Sequence, residues 1–236
     1  YEIRLSDWSS DVCSSDLAQV CDTMARQVIE LGHDIQAISA GGGLSIPYQQ
    51  GDESINVSNY YALWNDARER IARHLGHPIH LEIEPGRYLV AESGVLVAQV
   101  RSVKNMGRRH FVLVDAGFND LMRPAMYGSY HHISLMPADG RDVSEQPLIE
   151  SVIGGPLCES GDVFTQKAGG EVETRALPAA QVGDYLVFHD TGAYGASMSS
   201  NYNSRPLLPE VLFENNQPRL IRRRQTIEEL LALEIM

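Results

Sequence analysis

The order of hydrophobic patterns along the chain constrains its fold more than any other sequence feature. Between residues 18 and 84, apolar residues recur first at helical spacing and then in a short continuous run, and both patterns then repeat. This helix–strand–helix–strand order is typical of an α/β barrel or a doubly wound sheet. We predict that the first helix ends at Gly32 and that the second is capped by Ser58 and ends at Gly76.

The second predicted helix is amphipathic, so one side should face a core. Its apolar residues at helical spacing are Tyr61, Trp64, Ala67, Ile71 and Leu75. Charged residues four apart, Asp66 with Arg70 and Glu69 with Arg73, predict ion pairs on the opposite side.

The hydrophobic pattern changes at about residue 95. Short β-rich runs separated by turn-forming residues continue almost to the C-terminus, where Thr226 and Glu229 form a capping box for a last helix. We therefore predict an α/β segment over residues 18–94 and a second, mostly antiparallel β domain over residues 95–236.

Residues 1–17 fit neither pattern. Ser-Ser-Asp occurs twice, at 9–11 and 14–16, and the stretch lacks the basic start and apolar core of a signal peptide. It resembles translated linker or adaptor DNA joined to a truncated reading frame. The alternative is a disordered native N-terminus.

Composition excludes several classes of partner. The net charge of −12 argues against binding to nucleic acid or to an anionic membrane surface. No apolar run approaches the roughly 20 residues that span a bilayer. Cys13, Cys21 and Cys158 form neither a disulfide framework nor a CxxC pair, which suits a reducing cytoplasm.

Two motifs that follow predicted strands suggest a phosphate site. Consecutive glycines at residues 41–43 allow close approach of a ligand and can turn N–H groups toward an anion. Glu84, at the next strand end, could pair with a pyridinium nitrogen, and Arg87 offers a planar fork for phosphate or carboxylate. A plain loop and a structural Glu–Arg pair are the alternatives. The candidate phosphate-binding residues are Gly41, Gly42, Gly43 and Arg87.

Cys158 is a candidate proton donor. Its acidic neighbours Glu159 and Asp162 disfavour the thiolate, so the thiol would be a poor nucleophile. The alternative is an inert, buried cysteine. No Ser-His-Asp or Cys-His arrangement is recognisable around it.

The segment after the strand near residue 115 contains further candidates. Arg123 and Tyr127 could bind a substrate carboxylate from one loop, although a surface loop needs neither. His131 and His132 are adjacent, so on an extended chain they point to opposite faces, and no third ligand follows at metal spacing. We predict no metal site.

Together these motifs resemble those of bacterial diaminopimelate decarboxylases over residues 18–236. The matching segments are 41–43, 84–87, 122–128, 155–162 and 192–195. The resemblance implies a pyridoxal-phosphate enzyme of the alanine-racemase-like fold, in which a (β/α)₈ barrel precedes a β-barrel or sandwich-like domain. Residues 18–94 would then be the C-terminal remnant of the barrel.

The resemblance also implies roles for single residues. Gly41–Gly43, Gly86 and Arg87 would hold the cofactor phosphate, Glu84 would meet the pyridine nitrogen, and Tyr194 would contact cofactor and substrate. Substrate carboxylates would be bound by Arg87, Arg123 and Tyr127. Cys158 would return a proton to the substrate and Glu159 would bind its distal amino group. Both would reach the partner's site in a homodimer.

The chain departs from this family in one respect. The family's cofactor-binding lysine lies on an early barrel strand, whereas the only lysines here are Lys104 and Lys167, outside every matching motif. We therefore expect a truncated chain that is inactive alone. Two alternatives to a diaminopimelate decarboxylase stay open. One is a decarboxylase of another basic amino acid or a carboxylated polyamine, and the other is a non-catalytic relative that dimerises through its β domain.

Overall fold

The structure, a computed structural model, describes residues 14–235. The chain divides into two compact units at Leu89/Val90, whereas the sequence analysis placed the boundary at 94/95. Residues 90–94 belong to the second unit because their backbone pairs with a later loop. Gly192 N donates to Ala91 O over 2.9 Å, and Thr191 N donates to Gly94 O over 2.9 Å.

The first unit contains two parallel strands and three helices. Its elements are α1 (Ser14–Leu31), β1 (Ala37–Ser39), α2 (Val57–Leu75), β2 (His80–Glu82) and α3 (Gly86–Val90). β1 pairs with β2 in parallel, with Ile38 opposite Leu81, so β1, α2 and β2 form a βαβ unit. The helices and strands share one apolar core, which includes Cys21, Ala25, Ile38, Trp64 and Ile71.

The predicted helices are confirmed, with corrected ends. α1 begins at Ser14, so helix extends into the last residues of the segment predicted to be a leader, and Leu17 packs against the core. Residues 1–13 lie outside the described part of the chain. α2 is capped by Asn56 rather than Ser58, because the Asn56 side chain accepts a hydrogen bond from Asn59 N over 3.0 Å.

The buried face of α2 is also corrected. Tyr60 is 5% exposed and its neighbour Tyr61 is 60% exposed, because Tyr60 completes the spacing set by Trp64, Ala67 and Ile71. The expected pairs of charges four apart within α2 are not the ones observed. Arg70 instead binds Asp22 of α1 at 2.8 Å, since the two helices lie side by side.

The second unit is built on a six-stranded sheet. Its strands are β3 (Leu96–Met106), β4 (Arg109–Val114), β5 (Ile133–Met136), β6 (Ile149–Gly154), β7 (Arg175–Leu177) and β8 (Tyr185–Phe188), in the order β5-β8-β3-β4-β6-β7. Only β4 and β6 are parallel, so the predicted, mostly antiparallel domain is confirmed. The edge strands β5 and β7 approach each other, which makes the sheet barrel-like.

The sheet encloses a core of branched and aromatic side chains. Val100, Val112, Ile153, Leu186 and Phe188 are almost fully buried. Outside the sheet, β9 (Glu210–Glu214) and β10 (Gln217–Arg222) form a hairpin, α4 (Arg123–Tyr127) follows β4, and α5 (Ile227–Leu230) lies near the C-terminus. The capping box of Thr226 and Glu229 is present at the start of α5.

Four short elements were not predicted from the sequence: β5, β7, α4, and α3, which has five residues. β7 has only three residues, and β5 and α4 only four and five, so none is long enough to show periodicity. Lys104 lies exposed on β3, and Lys167 pairs with Glu173 at 2.7 Å beside a turn. No helix in the described residues is long and apolar enough to cross a membrane.

Candidate active site

The glycine loop and Glu84 are brought together by the pairing of β1 with β2. Glu84 N donates to Gly41 O over 2.8 Å. A Cβ atom at Gly42 would lie 3.1 Å from Glu84 O. Gly41 and Gly43 have φ angles of 65° and 88°, a region that favours glycine. The three glycines therefore permit both the turn and its close approach to the neighbouring strand end.

Ser39 links the same two segments through its side chain. Its hydroxyl oxygen accepts a hydrogen bond from Gly41 N over 3.0 Å, and its hydroxyl hydrogen is donated to a Glu84 carboxylate oxygen over 3.0 Å. The Gly41 N–H is thus directed at Ser39, whereas the sequence analysis expected it to face an anion. Behind the loop, the buried Tyr60 hydroxyl donates to Gly42 O over 3.2 Å.

Arg87 lies in the first turn of α3. Its guanidinium carbon is 5.6 Å from the centre of the Tyr48 ring, within cation–π distance. The loop that carries Tyr48 is ordered by Asp52, whose carboxylate accepts hydrogen bonds from Tyr48 N and Gln49 N, both over 2.9 Å. Gly86 N donates to Glu84 O over 2.9 Å, so a tight turn separates Arg87 from Glu84.

In the second unit, Arg123 is buried beside two aromatic rings. It belongs to α4 and is 5% exposed, although the sequence analysis placed it in a loop. Its Nη1 lies 3.2 Å from His131 Nε2, and its guanidinium carbon lies 5.9 Å from the centre of the Tyr194 ring. Arg123 and Tyr194 are therefore neighbours, as two groups that bind one ligand should be. Tyr127, at the end of α4, is exposed.

The backbone around Tyr194 is constrained by close packing. A Cβ atom at Gly192 would lie 1.9 Å from Val90 O, so no side chain fits there. Tyr194 itself has a φ of 61°, an uncommon conformation for a residue with a side chain. Such outliers concentrate at functional sites, where the surrounding structure holds them.

Cys158 and Glu159 are both exposed on the loop after β6. Glu159 accepts hydrogen bonds from Gly161 N over 3.2 Å and from the Ser160 hydroxyl over 3.1 Å. These bonds lower the pKa of Glu159, so its carboxylate is negatively charged at neutral pH. The loop therefore presents a thiol and a fixed negative charge to solvent.

Asp162 anchors the base of that loop. Its carboxylate, which is 5% exposed, accepts hydrogen bonds from Leu157 N over 2.7 Å and from Phe118 N over 2.8 Å. Burial raises the pKa of Asp162, and the two backbone N–H groups oppose that effect. A Cβ atom at Gly155 would lie 2.2 Å from an Asp162 oxygen, so this carboxylate needs a glycine opposite it.

Sequence reasoning missed the residues that hold these candidates in place. Ser39, Tyr60 and Asp162 were not assigned these contacts, and His131 was considered only as a metal ligand. A signal was present for Asp162, which follows Cys158 in a Gly-rich loop. No group of three or more His, Cys, Asp or Glu side chains suited to a metal ion occurs among residues 14–235.

Comparisons with known proteins agree on one family. A family model described as "Pyridoxal-dependent decarboxylase, C-terminal sheet domain" matches residues 12–192. The diaminopimelate decarboxylase of Escherichia coli K12 is 75% identical over 227 residues, which cover 96% of this chain and 54% of that protein. The enzyme of Streptomyces coelicolor is 60% identical and is covered to 51%. The chain thus spans about half the length of these curated relatives.

Solved structures show the same relationship. A crystal structure of diaminopimelate decarboxylase matches with a TM-score of 0.91 at 75% identity, over 94% of this chain and 53% of that one. The M. jannaschii enzyme in co-complex with L-lysine matches with a TM-score of 0.81 at 33% identity, over 97% of this chain and 50% of that one. With the family model matching most of its length, the chain belongs to the pyridoxal-dependent decarboxylases.

Proposed function

We propose that the protein to which this chain belongs decarboxylates meso-2,6-diaminopimelate to L-lysine and carbon dioxide with pyridoxal 5'-phosphate. The observation that carries this proposal is the presence of two recognition groups of opposite charge, the ionised Glu159 and the buried Arg123. The far end of diaminopimelate bears an ammonium and a carboxylate. A site that pairs each with a fixed opposite charge rejects analogues that lack one of them.

The residues of the first unit fit the proposed cofactor. The loop of Gly42 and Gly43 has no side chains, so a phosphate can approach its backbone closely. The Glu84 carboxylate, oriented by Ser39, would pair with a pyridine nitrogen, and Arg87 would supply positive charge to phosphate or carboxylate. When bound, pyridoxal phosphate withdraws electron density from the substrate's α carbon.

Cys158 would act as the proton donor to the α carbon after carbon dioxide has left. An exposed thiol on a loop beside an ionised carboxylate can present its S–H proton to a ligand that binds there. Tyr127 and Tyr194 would position the substrate through their hydroxyl groups. Glu159 would bind the distal ammonium.

We also propose a cytoplasmic homodimer with shared active sites. Cys158 and Glu159 are exposed on a loop whose base is anchored by Asp162, which suits a loop that completes a partner's site. The covalent cofactor anchor would come from the half of the enzyme that this chain does not span. We expect the chain alone to be inactive, because neither Lys104 nor Lys167 lies in a cofactor motif.

The test uses the full-length enzyme that carries this chain. Cys158→Ala should lower turnover of diaminopimelate by orders of magnitude while leaving the dissociation constant of pyridoxal phosphate nearly unchanged. Glu159→Gln should raise KM chiefly, because it removes the partner of the distal ammonium. Unchanged turnover in Cys158→Ala would remove the proton-donor role.

The two alternative functions are tested with the same full-length enzyme. A panel of diaminopimelate, lysine, ornithine, arginine and carboxynorspermidine distinguishes diaminopimelate from other basic amino acids and carboxylated polyamines. Absence of activity on every compound, together with capture of an active decarboxylase subunit, would favour the non-catalytic dimerising relative.

A further inference from the structure

His131 has no part in the chemistry proposed above, yet it is one of the most buried polar residues. It lies two residues before the start of β5 and is 3% exposed. Its Nε2 atom is 3.2 Å from Arg123 Nη1, and its Nδ1 atom is 2.8 Å from the backbone oxygen of His189. The imidazole thus bridges a buried guanidinium and a main-chain carbonyl.

The chemistry of the two partners determines where the imidazole proton is. A guanidinium can only donate hydrogen bonds and a carbonyl oxygen can only accept them. Arg123 therefore donates to Nε2, which must carry a lone pair, and Nδ1 must carry the hydrogen that is donated to His189 O. The ring is held as the neutral Nδ1–H tautomer.

The position of His131 is set by the sheet rather than by its own loop. Ile133 lies opposite Phe188 in the β5–β8 ladder. His189 N donates to His132 O over 2.9 Å and extends that ladder by one step. Backbone pairing therefore fixes the His189 carbonyl. The hydrogen bond from Nδ1 to that carbonyl holds the His131 ring in place beside Arg123.

We propose that His131 is the positioning residue for Arg123, holding the plane of its guanidinium so that it can bind the distal carboxylate of the substrate. A planar fork binds a carboxylate through two hydrogen bonds only when its plane is oriented, and the hydrogen bond from Nη1 to His131 restricts the rotation of that plane. Tyr194, 5.9 Å from the guanidinium carbon, packs against the same group. The proposal rests on the proposed function for the role of Arg123 in substrate binding, but not for the tautomer.

The test uses two substitutions that each keep one half of the bridge. In His131→Asn, the amide nitrogen can replace Nδ1 and still donate to His189 O, whereas the acceptor for Arg123 is lost. In His131→Gln, the amide oxygen reaches the place of Nε2 and restores the acceptor. In the full-length enzyme, His131→Asn should raise KM for diaminopimelate about ten-fold with a much smaller change in kcat, because one hydrogen bond to a charged group is lost. His131→Gln should recover most of the KM.

A second measurement is independent of activity. Neutron diffraction from the deuterated full-length enzyme should show a deuteron on Nδ1 of His131 and none on Nε2. A deuteron on Nε2 overturns the proposal whatever the kinetics. An unchanged KM in a folded His131→Asn enzyme, or the same KM defect in both variants, overturns it too. If the proton is found on Nδ1 but the enzyme does not act on diaminopimelate, the proposed function fails while the His131–Arg123 link stands.

Discussion

Ser39 donates its hydroxyl hydrogen to Glu84 over 3.0 Å while accepting a hydrogen bond from Gly41 N over 3.0 Å. One hydroxyl group thus joins the glycine loop to the carboxylate proposed to meet the pyridine nitrogen. Ser39 is the last residue of β1, and Glu84 lies two residues after the end of β2. The parallel pairing of these strands brings the two residues together. The loop and the carboxylate are therefore expected to respond together when this link is removed.

Ser39→Ala should weaken binding of pyridoxal phosphate to the full-length enzyme about five-fold, since a hydrogen bond to a charged, solvent-accessible group contributes roughly 1 kcal/mol. The measurement is a titration of the cofactor-free enzyme followed by visible absorbance. Ser54→Ala, on an exposed loop residue, is the matched control and should bind the cofactor as the wild type does. Equal affinities in both variants would mean that Glu84 is oriented by other groups.

Gly155→Ala should destabilise the second unit by about 1–3 kcal/mol, because the added methyl group cannot share its space with the buried Asp162 carboxylate. The new Cβ atom would lie 2.2 Å from an Asp162 oxygen. Urea denaturation of the full-length enzyme, followed by tryptophan fluorescence and circular dichroism, measures the change in the free energy of unfolding.

The control for this prediction is Gly161→Ala in the same loop. Its nearest neighbour, a Glu159 carboxylate oxygen, would be 3.8 Å away, which is ordinary van der Waals contact. Gly161→Ala should unfold close to the wild type. Equal losses of stability in the two variants would show that the loop is sensitive to any added methyl group and that Asp162 is not the cause.

Cys158 should react with iodoacetamide much faster than Cys21 in the native protein at pH 8. Cys158 is exposed and Cys21 is buried, and burial raises the pKa of the Cys21 thiol to about 11. The thiolate fraction of Cys21 at pH 8 is then roughly a thousandth. Peptide mapping by mass spectrometry gives separate rates for the two sites, and also for Cys13, which lies outside the described residues. The two rates should converge in urea, and comparable rates without urea would contradict the burial of Cys21.

Patterns within one segment of the chain were sufficient for several features. The helical spacing that ends at Gly76 predicted the C-terminus of α2, whose cap has a φ of 79°. Thr226 and Glu229 predicted the capping box of α5. In each case the partners lie a few residues apart, so their contact depends on local backbone geometry and can be recognised without the rest of the fold.

Hydrophobic patterns and short motifs were sufficient to predict an α/β segment followed by a mostly antiparallel β domain, and to identify candidate residues for chemistry. Tertiary structure decided that Tyr60 rather than Tyr61 is buried, that Asp162 binds backbone N–H groups of two separate loops, and that His131 links Arg123 to the backbone of His189. The reason is physical. Periodicity reports the conformation of one segment, whereas these contacts join residues far apart in the chain and exist only once strand pairing and helix packing have brought them together.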